Sequence, residues 1–134
     1  MTRLNSRKID IRSEQGQSLT EFALALPVLA LLLFAVIQFG IVFNNYVTLT
    51  DATRAGARKA AVGRQLSNPQ GATIAAVRAS AQDLTQSKLN VTVSSTWQPT
   101  ADVAVTATYP YSIKLLGIVV KTGNLSSTTT ERVE

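Results

Sequence analysis

Residues 22–45 carry no charge, and the apolar part of that run, residues 22–43, constrains this chain more than anything else in it. At 1.5 Å per residue, about 22 residues wound as a helix cross a hydrocarbon core of roughly 30 Å. A membrane segment is therefore predicted at about residues 22–43. A basic, polar leader precedes it, and fewer than about 100 residues remain for a soluble part, so the core of that part must be small. An ordinary cleaved secretory signal fits poorly. The apolar stretch is about twice the usual length, and no small-residue A-x-A site follows it before "NNYVTLTD". Orientation does not follow from charge either. Arg3, Arg7, Lys8 and Arg12 on one side are matched by Arg54, Arg58, Lys59 and Arg64 on the other.

The same two basic blocks account for most of the net charge of +5. Placed against a membrane run they are expected to meet lipid headgroups, and nucleic acid is not expected as a partner. With no cysteine and no histidine, the chain has no disulfides, thiolate or imidazole metal sites, cysteine nucleophile or histidine general base. The acids from Glu21 onward, Glu21, Asp51, Asp83, Asp102, Glu131 and Glu134, are scattered without a metal-ligand or paired-carboxylate spacing. No catalytic residue, cofactor or metal site is expected, and the chain does not read as an enzyme.

Glu21 stands directly before the apolar run, where a carboxylate near the centre of a bilayer costs on the order of 2.5–3.5 kcal/mol. Two local explanations are open. "SLTE" matches S-x-x-E, so Ser18 can cap a helix while Glu21 reaches back to the Ser18 N–H. Alternatively, cleavage after Gly16 makes Gln17 the first residue, with its new amine one helical turn from Glu21.

A polar basic leader ending in Gly16, then "QSLTEF", then an apolar helix resembles the prepilin-peptidase motif of type IV pilin-like proteins. With "EFALALPVL", "FG", "ATRAGARKAA" and the final "LSSTTTERVE", the chain is similar to the TadE-like minor pilins, or pseudopilins, of tight-adherence (Tad) pili. The likeness runs from about Gln15 to the C-terminus, dense to Val62 and thin across the middle. It implies cleavage between Gly16 and Gln17 by prepilin peptidase and Glu21 as the assembly carboxylate. It also implies a single pass through a prokaryotic cytoplasmic membrane, with the C-terminal part outside, and partnership with other pilins of the Tad system in pilus assembly and cell adhesion. Gln17 departs from the Phe or Met common at the first mature position of major pilins, so N-methylation is not implied. A second reading from a different class is a permanently anchored extracytoplasmic binding or sensing module that is never processed.

The expected fold is α+β. Residues 1–16 form the leader and 17–63 a long helix on the order of 70 Å. Residues 64–134 form a small domain with a second amphipathic helix and an antiparallel sheet of three or four strands. No proline interrupts residues 46–63, and Leu49, Ala52, Gly56 and Ala60 share one small-residue face. Ala52, Gly56 and Ala60 permit close helix packing, against the chain's own sheet or against a neighbouring subunit. Pro27 is expected to bend the helix, because it leaves the Ala23 carbonyl without its usual donor. "NPQG" suits a helix start, and Ile74, Val77, Ala81 and Leu84 share a face. Strands are expected at residues 89–93, 101–109 and 125–132, with turns at "WQPT" and "KTGN"; residues 111–120 fit strand or loop. Trp97 reads as a turn aromatic covering the sheet in preference to a ligand-stacking residue.

Overall fold

A computed structural model describes residues 14–134, and side chains from residue 16 onward. The leader's basic residues Arg3, Arg7, Lys8 and Arg12 lie outside the described residues. Among the described residues two helices precede three strands: α1 Glu14–Ala61, α2 Pro69–Ser80, β1 Asn90–Ser95, β2 Asp102–Leu115 and β3 Ile118–Arg132. The strands form one antiparallel sheet in the order β1-β2-β3, so the α+β architecture with a long N-terminal helix is as expected. By contacts the chain falls into two units, residues up to Val36 and Ile37–Glu134, and the core belongs to the second.

That core is built where three apolar patterns meet. The end of α1 buries Leu49, Ala52, Thr53, Gly56, Ala57 and Ala60, a stripe with helical spacing. From β2 come Val103, Val105, Ala107 and Tyr109, every second residue, as a strand with one covered face requires. Val77, Ala81, Leu84 and Leu89 supply the third side. Gly56 sits at the closest approach: a Cβ placed there would overlap Val77 Cγ2 and come within 3.4 Å of Val105 Cγ1. Ala52, Gly56 and Ala60 are thus packed inside this chain's own fold.

The direction of α1 over the sheet is fixed by polar contacts. Thr53 Oγ1 donates to the Thr50 carbonyl at 2.8 Å and accepts from Thr129 Oγ1 at 3.1 Å, and Ser127 Oγ lies 3.2 Å away. A hydroxyl has one proton, so Ser127 is the donor in the last of these bonds. At the other end the Glu134 N–H donates to the Ala61 carbonyl at 2.9 Å. Residue 53 against 127 and 129, with 61 against 134, means that α1 and β3 run in the same direction. Thr53→Val keeps the shape and strands two hydroxyl donors, one of them on the buried Ser127. We expect a loss of about 1–3 kcal/mol in thermal or chemical unfolding, partly recovered by adding Ser127→Ala.

Asn68 caps α2 as its position before Pro69 predicts, its Oδ1 accepting the Gly71 N–H at 2.8 Å. The helix is shorter than its apolar face suggested. It ends at Ser80, with Ala81 as C-cap, and Leu84 is buried from a following turn held by its N–H on the Ala81 carbonyl at 3.0 Å. Arg78 then clasps the link to β1, its guanidinium donating to the Gln86 carbonyl at 3.0 Å and the Leu89 carbonyl at 3.4 Å.

The β2–β3 connection corrects the sequence reading. Residues 111–120, which fit strand or loop, are strand on both sides of a two-residue turn, and "KTGN" is not a turn, because Lys121 to Asn124 lie inside β3. The turn is Leu116–Gly117, both at positive φ, 49° and 85°. That pair of angles is a type I′ hairpin turn, which favours Asn-Gly. Leu-Gly does not announce it, since a leucine there is strained. Leu116→Asn is expected to raise stability by about 1 kcal/mol, readable as a higher melting temperature.

Candidate functional site

The features that carry the functional reading lie along α1. Its residues 16–61 are long and apolar enough to cross a membrane, and none of the most apolar window is buried by the rest of the protein. A helix that is apolar all round, with Leu24 73%, Leu29 65% and Phe39 68% exposed, lacks a cover among the described residues. It is a candidate membrane span, consistent with single-pass anchoring. Pro27 lies inside α1, which continues through it. Phe39 and Phe43 stack along one face, with ring centroids 6.5 Å apart.

The structure also answers part of the Glu21 question. Glu14, the first described residue, is already helical, so Gly16, Gln17 and Ser18 lie within α1 and Ser18 is not an N-cap. The capping box is therefore absent from the unprocessed chain, because Ser18 already lies inside a helical turn that includes Glu14. Glu21 is exposed, and its Oε1 accepts from Gln17 Nε2 at 3.0 Å. Side chains on a helix lean toward its N-terminus, so a carboxylate at position 21 points back at the turn holding residue 17. Thr20 Oγ1 likewise reaches back to the Gly16 carbonyl at 2.9 Å. Gly16 is the residue of this turn that gives least to a helix, about 1 kcal/mol less than alanine.

Past the apolar segment, α1 has two faces with different uses. The small-residue face is consumed by the core. Phe43, Tyr46, Val47, Thr50, Asp51 and Arg54 line a shallow groove on the helix surface. Arg54 and Asp51 pair across it at 3.5 Å, mostly in solvent, which adds little stability. The sequence reading passed over this stripe because tyrosine, threonine and arginine do not announce an apolar contact, although the spacing 43, 46, 47, 50, 54 is helical. It also passed over Thr53, which sits among alanines and bonds to residues more than 70 positions away.

Trp97 is half-buried against the core, at φ 56°, with its N–H on Ser95 Oγ at 3.1 Å. Among the described residues no three of His, Cys, Asp or Glu gather as metal ligands do.

The profile of the family described as TadE-like protein matches residues 16–58. The matched stretch begins at Gly16 and ends within the helix that enters the core. No curated protein and no solved structure matches the chain.

Proposed function

Taking residues 16–58 as TadE-like, and the chain therefore as a pilin-like protein associated with Tad pili, we propose that it is a processed minor pilin or pseudopilin. It waits in the membrane through α1, loses residues 1–16 to prepilin peptidase, and enters or primes a Tad pilus by packing α1 among the helices of other pilins. The observation that carries this reading is an uncovered apolar helix segment with a carboxylate at its leading end, Glu21, which accepts a hydrogen bond from the Gln17 side chain.

Cleavage after Gly16 frees the Gln17 backbone nitrogen as an amine one helical turn from Glu21, on the residue whose side chain now bonds that carboxylate. An amine and a carboxylate one turn apart satisfy each other in a medium that would penalise either alone. Of the two faces of α1 beyond the membrane, the stripe from Phe43 to Arg54 is the one free to meet other subunits, since Ala52, Gly56 and Ala60 are committed to the core.

Processing is tested by the mass of the chain purified from membranes that also contain its peptidase. Wild type should begin at Gln17, and Gly16→Trp should stay as precursor, because a bulky side chain there blocks close approach to the backbone. Wild-type protein that keeps its leader would favour the permanently anchored binding or sensing module.

A further inference from the structure

Beyond Tyr109 the β2–β3 hairpin leaves the sheet. β1 pairs only with residues 103–108, so residues 110–124 form a two-stranded ribbon, marginally stable by itself in water. Tyr111 braces its base, the ring lying over Gly123, where a Cβ would come within 3.0 Å of it. Among the described residues nothing covers the tip in this way: Leu116 is 69%, Ile118 72%, Val119 51% and Val120 64% exposed. Lys114 and Lys121 flank these residues and are the only charged side chains from residue 103 to 130. Leucine is also held at positive φ in a turn where asparagine would be relaxed. An exposed, strained, apolar residue that weakens its own turn points to a use outside folding.

Direction identifies what the tip meets. Because α1 and β3 run in the same sense, the tip lies toward the N-terminal side of residues 37–61 of α1, where Ile37, Phe39, Ile41 and Phe43 are exposed. From the Gly56–Val105 approach, the strand reaches about 33 Å by Leu115, whereas the helix needs only about 20 Å to reach Phe43. That difference leaves room for the crossing angle between strand and helix. The hairpin is long enough to reach the level at which the apolar helix would leave the hydrocarbon.

We propose that the β2–β3 hairpin tip is a second membrane contact, with Leu116, Ile118, Val119 and Val120 seated at the headgroup boundary and Lys114 and Lys121 on anionic lipid headgroups. Apolar side chains ringed by lysines suit that boundary, where long cationic side chains keep their charge in the headgroups. A second copy of the tip is a poorer fit, because two such tips bring four lysines together. The contact rests on the membrane reading of α1 and is independent of the pilus role.

The full chain has no cysteine, so single labels can be placed. An environment-sensitive fluorophore at Ile118→Cys is read in phosphatidylcholine vesicles with and without phosphatidylglycerol, using lipid-borne spin-label quenchers, with Leu29→Cys and Ser94→Cys as references. Residue 118 should be blue-shifted and quenched by shallow spin labels, more so with phosphatidylglycerol, while residue 94 stays in water. Adding Lys114→Gln and Lys121→Gln should lower the docked fraction's ratio to the free one about thirtyfold. Leu116→Asn should reduce quenching at 118 while raising the melting temperature, a combination a purely structural tip would not give. A quenched Leu29 label with an unquenched 118 label overturns the hairpin contact and leaves the membrane helix standing. An unquenched Leu29 label overturns both. A blue shift at 118 that follows protein concentration in detergent without added lipid also overturns the proposal, by putting another copy on the tip.

Discussion

Gly56→Leu should unfold most of the C-terminal unit, whereas the same change at the exposed Gly40 should leave it intact. Nothing lies within 4 Å of a Cβ at Gly40, while at Gly56 the first added carbon overlaps Val77 Cγ2. Valine in a helix is held to one rotamer, so Val77 does not swing away. The smallest change is informative in sign. Gly56→Ala gains about 1 kcal/mol of helix propensity but forces two elements apart, which typically costs 1–3 kcal/mol, so a net loss is expected. Leucine adds three more carbons to the same gap. Its cost, about 3 kcal/mol or more, approaches the roughly 3–5 kcal/mol that so small a core supplies. Unfolding of the full chain in detergent micelles, followed by near-ultraviolet circular dichroism or Trp97 fluorescence, measures it. Combining Gly56→Ala with Val77→Ala should cost less than the sum of the two, because the space opened at residue 77 takes up the methyl added at residue 56. Strict additivity would mean that α1 and α2 do not meet at Gly56.

How much of this was legible beforehand follows from where each signal is stored. The long helix and the alternation in β2 are periodic, and periodic patterns survive in a single sequence. So did the Asn68 cap, whose side chain acts on a backbone only three residues away. The shared face of Leu49, Ala52, Gly56 and Ala60 was visible, but its partner was not. A small-residue stripe reads the same whether it faces its own sheet or a neighbour. Only the placement of Val77 and Val105 decides between them, and that depends on tertiary structure. The hairpin turn was misplaced for a different reason. "KTGN" has turn chemistry yet lies within a strand, where Gly123 lodges beneath Tyr111, and "LG" forms the turn with a residue that resists it. Local preference lost in both places to strand pairing across fourteen residues of β2. Glu21 was conspicuous because a carboxylate before an apolar run is rare. Its partner in the unprocessed chain, the Gln17 side chain, follows only from residues 14–21 being helical, which brings position 17 one turn from Glu21.

Glu21→Gln should separate processing from assembly. Glutamine has the shape of glutamate and serves equally well in a capping box, so a local helix role predicts near-normal behaviour. The pairing role predicts otherwise. Removing the carboxylate leaves a mature amine unpaired in a packed, low-dielectric setting, a loss of about 3–5 kcal/mol, or roughly a hundredfold or more in the assembly equilibrium. Cleavage after Gly16 should be unaffected, because the pair forms only after the amine is released. The variant would then be inserted and trimmed, and would accumulate in the membrane.

The most direct measurement is the ratio of this protein in sheared pili, or crosslinked to other pilins, to that in the membrane, for wild type and Glu21→Gln in cells with the complete pilus machinery. The account predicts wild type trimmed to Gln17 and found with the pilins, and Glu21→Gln trimmed alike but depleted from them at least about tenfold, a conservative floor for the lost pair. Wild type absent from every pilin complex, or an unchanged ratio for Glu21→Gln with normal piliation, would contradict it.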